Sequence, residues 1–300
     1  MEVDYFTRST LTKASRTKYN RTLQRWVDVF GKETPVEPPY IYANPHESVK
    51  KLRDWLMTIG SDTPNVLNNH ITALMAYRKY NPQLCHPDAR TYAVWKRILE
   101  LSYTAISDHL KKNEPSRTQQ LKDGIDMTME EIVAIRDSLP LGISKLLLAF
   151  YTMIPPVRAD YGMVQILYSH RERPSTANYI IIEDGQAFMR LTDFKTSSTY
   201  REIAYPLPQP LYELLLLSLQ DNPRNYLFQN TLSGPYTRQA FSSWANQTLS
   251  SLFGKAFTLT MFRHIFLSSL STSITVEERE DIAKKMGHSL TLQMCYVWKD

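Results

Sequence analysis

The chain has 300 residues, of which 43% are hydrophobic and 22% are charged. This composition is ordinary for a globular protein of about two domains, and it excludes a low-complexity or intrinsically disordered chain. The formal net charge of +5 points towards a polyanionic partner. Two cysteines, Cys85 and Cys295, are too few and too far apart for a disulfide framework or a zinc site, so we expect an intracellular protein.

We expect neither a secretory leader nor a membrane span. The opening residues, MEVDYF, lack a cationic start followed by an apolar run. The most apolar stretch, 139–157, is interrupted by Lys145, Pro155 and Pro156, which makes it too short and too broken to cross a bilayer.

The positive charge is concentrated in the first part of the chain. Residues 1–115 contain 17 Lys and Arg against 12 Asp and Glu, and this excess of five equals the net charge of the whole chain. Basic side chains bind nucleic acids largely by neutralising phosphates and releasing counterions. A basic module followed by a neutral one therefore predicts a clamp on nucleic acid followed by a domain that carries the chemistry. The alternative is that these charges only solvate a helical surface.

Four amphipathic helices are predicted in this first part. One begins at Thr10 or Thr12 and ends before Gly31, and others are predicted at 48–59, from Thr63 to about Met75, and at 88–112. Together they predict a compact helical domain at 1–115. The face of the first helix opposite its apolar side predicts a phosphate-binding stripe, formed by Lys13, Arg16, Lys18, Arg21 and Arg25.

A linker at 116–126 and a second domain at 127–300 are predicted next. The stretch 111–124, KKNEPSRTQQLKDG, has no apolar periodicity, and Thr128 with Glu131 then predicts a capped helix start. Four short segments rich in β-formers predict the strands of a small antiparallel sheet, at 164–168, 179–182, 187–191 and 202–205. Glu183-Asp184-Gly185 is the predicted turn between the second and the third. Further helices are predicted at 211–219, 238–252, 261–271 and 276–286.

The second domain carries five polar residues in an order that suggests phosphate chemistry: Arg158, Lys195, Arg263, His288 and Tyr296. Guanidinium groups hold two phosphate oxygens at once, a positioned acid protonates a leaving oxygen, and a tyrosine beside them is a candidate nucleophile. Nearby positive charge favours the phenolate that such an attack needs. Each residue also has an ordinary interpretation: Arg158 can pair with Asp160, and Lys195 can be a solvated surface lysine.

The order and spacing of these residues resemble the tyrosine recombinase family of phage-integrase type. By that resemblance Arg158 and Arg263 are the two arginines that grip the scissile phosphate, Lys195 is the β-hairpin lysine that protonates the leaving 5′-oxygen, His288 bonds the phosphate, and Tyr296 is the nucleophile. The resemblance implies a mainly α fold with a small antiparallel β-sheet. It places a four-helix core-binding domain before an α+β catalytic domain, and the two close round DNA as a C-shaped clamp.

The chain departs from the family pattern at two positions. The family commonly has an acidic residue three positions after the first arginine, where this chain has Tyr161, although Asp160 lies beside it. It usually has His-x-x-Arg where this chain has Thr260-Met-Phe-Arg263. A threonine hydroxyl donates a hydrogen bond to phosphate but is no general base near neutral pH, so the reaction either tolerates the loss or is slower. We expect His264 to be structural and not a replacement.

The resemblance implies a site-specific recombinase or integrase that cuts and rejoins duplex DNA through a 3′-phosphotyrosine intermediate. It implies no metal or other cofactor, a homo-tetramer on synapsed DNA, and an origin in a virus or mobile element. Two alternatives stay open. One is a type IB topoisomerase, which uses a similar residue set as a monomer, and the other is a DNA-binding relative that has lost activity, as Thr260 suggests.

Overall fold

The structure is a computed structural model. It describes residues 3–7, 9–31, 37–85, 88–112, 126–169, 174, 177–270, 274–294 and 296–297. The chain divides into two compact units, and the division falls after Lys112. The predicted linker at 116–126 lies almost wholly outside the described residues, so its structure stays a prediction. None of the helices among the described residues is long and apolar enough to cross a membrane.

The N-terminal unit is helical throughout its regular structure. Its helices are α1 (Lys13–Phe30), α2 (Pro38–Ala43), α3 (Pro45–Thr58), α4 (Pro64–Tyr80) and α5 (Ala89–Lys111). Thr12 caps α1 and Thr63 caps α4, because each hydroxyl accepts a hydrogen bond from the backbone N–H three residues later. Three of these helices have proline in the first turn, where a missing N–H leaves no helical hydrogen bond unmade.

Helix α2 corrects the prediction of four helices, and α3 begins at Pro45 instead of position 48. Proline and asparagine flank the segment PPYIYANP, so its composition is typical of a loop. The segment is nevertheless helical, because Ile41 and Tyr42 of α2 are buried in the core of this unit. The indole N–H of Trp95 donates to the Tyr42 carbonyl across 2.8 Å, which fixes the end of α2 against α5.

The C-terminal unit combines helices with one small sheet. Thr128 and Glu131 form the predicted capping box at its first helix. Its elements in chain order are α6 (Met129–Ser138), α7 (Ile143–Thr152), a 3₁₀ turn (Asp160–Met163), β1 (Gln165–Leu167), β2 (Tyr179–Glu183), β3 (Gln186–Leu191), α8 (Ser197–Tyr200), β4 (Ile203–Pro206), α9 (Gln209–Asp221), α10 (Arg238–Phe253), α11 (Leu259–Ser268), α12 (Val276–Lys285) and α13 (Leu290–Met294). The predicted end of the helix at 261–271 lies outside the described residues.

The sheet has the strand order β1-β2-β3-β4. Strands β2 and β3 form the expected antiparallel hairpin, and β3 pairs with β4 in the same sense. The prediction of an antiparallel sheet is wrong for one pair, because β1 pairs with β2 in parallel, with Gln165 opposite Tyr179. Parallel neighbours need a long connection, and 168–178 supplies one. The strand segments alone carry no signal for that direction.

Helix α7 lies at the centre of the C-terminal core. Its residues Leu146 to Tyr151 are all fully buried, and burying each large apolar side chain contributes about 1.5–3 kcal/mol. The Tyr151 hydroxyl donates to the Arg158 carbonyl, and the Tyr161 hydroxyl donates to the Phe150 carbonyl. The loop that carries Arg158 is therefore bonded on both sides to the most buried helix.

Candidate active site

Arg158 lies on the loop between α7 and the 3₁₀ turn. Its backbone carbonyl is held by the Tyr151 hydroxyl at 2.5 Å. Its side chain is half-buried, and Nη2 donates to the hydroxyl of Tyr296 across 3.3 Å. The structure thus brings together the first and last of the predicted site residues, which are far apart in the chain.

Arg263 lies on α11, and only 1% of its surface is exposed. Its Nη1 donates to the Pro156 carbonyl at 2.8 Å and to the Met286 carbonyl at 3.4 Å, which joins the Arg158 loop to the end of α12. Its guanidinium carbon lies 5.1 Å from the centre of the Tyr296 ring. Burial lowers the pKa of Arg263 to about 10, so the group stays charged at neutral pH.

Two nitrogens of Arg263, Nε and Nη2, are buried without a hydrogen-bond partner among the described residues. A buried donor with no partner costs free energy, and the cost is larger for a charged group. Nε2 of His288 and the side-chain amide nitrogen and oxygen of Gln293 are also buried without a hydrogen-bond partner among the described residues. A bound anion would provide acceptors for the arginine nitrogens.

His288 follows a glycine that closes α12. Gly287 has a φ of +66°, which favours glycine, and an added Cβ would come within 3.1 Å of Phe194 and 3.2 Å of Ile203. The His288 ring is buried and stacks on the Tyr296 ring with the centroids 5.7 Å apart. Burial, together with the charge of Arg263, lowers the pKa of His288 to about 4, so this ring is neutral at pH 7.

His264 fixes the position of Tyr296 through a hydrogen bond to the Tyr296 backbone carbonyl. His264 donates from Nδ1 to the Tyr296 carbonyl at 2.8 Å, and its ring packs 4.7 Å from the tyrosine ring. This contact supports the structural role expected for His264. Burial opposes ionisation of the Tyr296 hydroxyl, but the charges of Arg263 and Arg158, together with the hydrogen bond from Arg158, outweigh it, so the pKa of Tyr296 lies below its usual value.

Lys195 lies on the connection between β3 and β4, and its side chain is exposed. It lines a cleft of about 390 Å³ together with Arg158, Arg263 and Thr260. Tyr296 and His288 do not line this cleft. Arg158, Arg263, His288 and Tyr296 are thus brought into contact, whereas Lys195 shares only the cleft with the two arginines.

Thr260 lies in the first turn of α11, three residues before Arg263. Its side chain is exposed, and it lines the same cleft. Residues three apart on a helix share a face, so Thr260 and Arg263 lie on the same side of α11. The position that departs from the family pattern is therefore inside the site.

Sequence reasoning missed Arg238, which lines the cleft beside Lys195. Its Nε donates to Asp160 Oδ1 at 2.8 Å, and Nη2 donates to Asp193 Oδ1 at 3.2 Å. The alternative pairing of Arg158 with Asp160 is therefore wrong, because Asp160 pairs with Arg238. One signal was available: Arg238 opens α10, and a cation is unfavourable at a helix N-terminus unless it has a partner.

The predicted basic stripe lies on α1, in the N-terminal unit. Lys13, Lys18, Arg21 and Arg25 are exposed. Arg16 differs, because it forms an ion pair with Asp4. Lys18 also donates to the Asn69 side chain at 2.8 Å. The stripe therefore has fewer available charges than the sequence suggests.

The described residues contain no group of three or more His, Cys, Asp or Glu side chains that could hold a metal ion. Cys85 is a buried free cysteine, and Cys295 lies outside the described residues. The expectation of no cofactor stays a prediction.

The comparisons with known proteins bear on the fold. No protein-family model matches the chain, and no curated protein matches it. A lambda integrase dimer bound to a COC′ core site matches with a TM-score of 0.58 and 12% identity, over 97% of this chain and 73% of that chain. A lambda integrase(75-356) dimer bound to a COC′ core site matches with a TM-score of 0.58 and 13% identity, over 97% of this chain and 90% of that chain.

XerA recombinase also matches, with a TM-score of 0.42 and 11% identity, over 99% of this chain and 91% of that chain. The two lambda integrase matches carry the comparison, because their TM-scores are the higher ones. The chain therefore has the fold of these lambda integrase structures, with helices and one small four-stranded sheet in the C-terminal unit.

Proposed function

We propose that this protein is a site-specific recombinase or integrase that cuts and rejoins duplex DNA through a 3′-phosphotyrosine intermediate. The observation that carries the proposal is the position of one phenol between two arginines: Arg158 donates to the Tyr296 hydroxyl, and Arg263 lies over the Tyr296 ring. A purely structural tyrosine needs neither charge. A nucleophilic tyrosine needs both, because they favour its ionised form.

The proposed reaction is a transfer of one phosphoryl group. The Tyr296 oxygen attacks the scissile phosphorus, a new oxygen–phosphorus bond forms, and the bond to the 5′-oxygen of the next nucleotide breaks. Arg158 and Arg263 neutralise the charge that develops on the non-bridging oxygens. Removing one such preorganised donor from an enzyme typically costs a hundredfold to a thousandfold in rate.

Two protons move in this step. The phenol proton leaves to water, since Thr260 is no base near neutral pH and the pKa of Tyr296 is already lowered by the arginines. Lys195 gives a proton to the departing 5′-oxygen, and its place on the cleft beside Arg158 supports this role. The reverse step, with the 5′-hydroxyl of a partner duplex as nucleophile, rejoins the strand without any external energy source.

His288 completes the phosphate site in this proposal. Its Nδ1 donates to the Ser289 carbonyl at 3.1 Å, so in the neutral ring Nε2 carries the lone pair. A phosphodiester brings negative charge next to this ring and thereby opposes the effect of Arg263 on its pKa. The negative charge favours the protonated ring, which is the form that can donate from Nε2 to a phosphate oxygen.

The partner proposed for the whole chain is double-stranded DNA. The lambda integrase structures similar to this chain are dimers bound to a COC′ core site. We propose that four protomers synapse two DNA sites, because exchange between duplexes needs four cleaved strands. The basic face of α1 supplies contacts to the DNA backbone, and we propose an origin in a virus or mobile element.

The test is to trap the covalent complex on a pool of nicked duplexes of randomised sequence, in buffer that contains EDTA. Protein-linked DNA that survives denaturation is recovered, and its ends are sequenced. The proposal predicts linkage through the 3′-phosphate, a free 5′-hydroxyl, and enrichment of a defined sequence. Linkage at a 5′-phosphate, or no linked DNA at all, would contradict it.

Plasmid assays separate the alternatives. Site-dependent joining of two duplexes supports the recombinase. Relaxation of supercoils without ATP by a monomer, and without joining, would support a topoisomerase. DNA binding with neither activity would support a binding protein.

A further inference from the structure

Lys195 has an exposed side chain on an eleven-residue connection, 192–202, which joins β3 to β4. A flexible lysine on such a loop would spend little time at one atom of a substrate, since its side chain alone carries about 2 kcal/mol of rotamer entropy. The residues on either side of Lys195 are nevertheless bonded to the body of the unit. On one side the partner is Arg238, which also bonds Asp160 near Arg158, and on the other side it is Gly287, which precedes His288.

The anchor before Lys195 is made by Arg238. Its Nη2 donates to the Asp193 carbonyl at 3.1 Å and to Asp193 Oδ1 at 3.2 Å, while Nε donates to Asp160 Oδ1 at 2.8 Å. Asp160 is two residues after Arg158, and Asp193 is two residues before Lys195. One guanidinium therefore connects the loop of the first arginine to the loop of the lysine.

Asn178 reinforces this anchor from inside. Its side chain is 2% exposed, its Oδ1 accepts from the backbone N–H groups of Thr192 and Asp193 at 2.9 Å, and its Nδ2 donates to the Asp193 carbonyl at 2.8 Å. The Asp193 carbonyl thus accepts from both Asn178 and Arg238. The backbone before Lys195 is therefore held by hydrogen bonds from two side chains.

The anchor after Lys195 is made by Thr196. Its hydroxyl donates to the Gly287 carbonyl at 2.6 Å, and Phe194 packs against Gly287. Gly287 directly precedes His288. The loop that carries Lys195 is therefore bonded, through separate contacts, to the segments that carry Arg158 and His288.

Forming the Asp160–Arg238 ion pair requires the desolvation of a carboxylate, which costs free energy. Asp160 is 3% exposed, and burial raises its pKa although the Arg238 charge opposes that effect. Arg238 is partly exposed, so only the carboxylate is taken out of water, and the cost of its desolvation offsets much of the attraction within the pair. Its geometry is specific instead, since one arginine satisfies three acceptors that lie on two different segments.

We propose that Arg238 is a positioning residue that places Lys195 to protonate the leaving 5′-oxygen. This inference rests on the proposed function. Arg238 acts through Lys195, so its loss should slow only reactions in which the leaving group needs a proton. A lysine at position 238 offers one ammonium group in place of a planar fork, so it cannot bridge the two segments as the arginine does.

The test compares two DNA substrates in single-turnover cleavage. One is a normal phosphodiester, and the other has sulfur in place of the bridging 5′-oxygen. The sulfur leaves as a thiolate without protonation, because a thiol is a much stronger acid than an alcohol. We expect Arg238→Gln to slow cleavage of the normal substrate by about tenfold to a hundredfold, as for a misplaced catalytic group. Cleavage of the sulfur substrate should stay within about threefold of wild type, since the positioned acid is not used there.

Lys195→Ala should show the same selective loss. Asp193→Ala, which keeps the Asp160–Arg238 pair and changes an exposed side chain, should show a smaller loss of the same selectivity and guards against misfolding of the Arg238 variant. Arg136→Gln, on α6 and away from the cleft, is the matched control and should leave both rates unchanged.

Equal slowing of both substrates by Arg238→Gln, in a variant that unfolds at the wild-type temperature, would overturn the proposal, because Arg238 would then act on the phosphate. Unchanged rates on both substrates would also overturn it. If the wild-type protein cleaves neither substrate, the proposed function itself fails, which is a different result.

Discussion

Arg158 donates from Nη2 to the hydroxyl of Tyr296 across 3.3 Å, and this contact joins residues that are 138 positions apart in the chain. Arg263 lies on the face of the same ring, 5.1 Å from its centre. The phenol therefore lies within reach of two positive charges in a partly buried place, where charges interact more strongly than in water.

We expect Arg158→Ala and Arg263→Ala each to slow single-turnover DNA cleavage by at least about a hundredfold, because each removes a donor to transition-state charge. DNA binding, measured by fluorescence anisotropy, should weaken much less. Arg263→Ala should also lower the unfolding temperature, since Arg263 bonds the Pro156 and Met286 carbonyls. A variant that cleaves at nearly the wild-type rate would show that its arginine is structural.

The lowered pKa values of His264 and His288 predict how the free energy of unfolding depends on pH. Burial lowers the pKa of His264 and of His288 to about 4 from 6.5, so each binds fewer protons when folded than when unfolded between these pH values. The free energy of unfolding should therefore fall as the pH drops through this window. The expected slope is up to about 1.4 kcal/mol per pH unit for each histidine.

Urea denaturation at pH 7.5, 6 and 5 measures this effect, with His264→Gln as the comparison. Glutamine can still donate to the Tyr296 carbonyl, but it does not titrate. The variant should lose less stability than wild type over the same pH range. Parallel pH profiles for the two proteins would show that His264 does not carry the effect.

Substitutions of Thr260 should change the rate of DNA cleavage, and the direction of the change depends on the residue introduced. Thr260→Val keeps the volume and removes the hydroxyl, which should slow cleavage about tenfold by the loss of one hydrogen bond to the phosphate. Thr260→His should speed cleavage near pH 7.5, because imidazole can accept the phenol proton. Single-turnover rates from pH 6 to 9 measure both variants. No change in either would place Thr260 outside the chemistry.

The basic face of α1 predicts a dependence of DNA affinity on salt. Replacing Lys13 and Arg25, both exposed, with glutamine should reduce the slope of log affinity against log salt by up to about two, as each phosphate contact contributes about 0.9. The matched control replaces Lys96 and Arg97, which are exposed on α5, and removes the same charge. If only the α5 variant changes the slope, the DNA-binding face lies on α5.

The sequence predicted those parts of the structure whose signal is local. The caps at Thr12, Thr63 and Thr128 depend on a side chain and a backbone group three residues away, and all three are present. The five site residues were found through their order along the chain, which reflects a resemblance and not a physical derivation. Their contacts with one another could not be read from spacing.

The features that sequence reasoning missed depend on distant contacts. Helix α2 is stabilised by burial of Ile41 and Tyr42 against other helices, which overrides the loop-like composition around it. The parallel pairing of β1 with β2 is a contact between separate segments, and the composition of the two strands does not record its direction. The bridge from Arg238 to Asp160 spans 78 positions, and no local pattern identifies Asp160 as the partner of this arginine.

The most direct test of the account is to identify the residue that carries the DNA. Wild-type protein and Tyr296→Phe are incubated with the nicked duplex selected from the random pool, digested with protease and nuclease, and analysed by mass spectrometry. The account predicts a nucleotide linked to the peptide that contains Tyr296 in the wild type. It predicts no covalent adduct in the Phe variant, whose DNA affinity should be nearly unchanged because only one oxygen is removed. An adduct retained by Tyr296→Phe, or a wild-type adduct on any of the other 17 tyrosines, would contradict it.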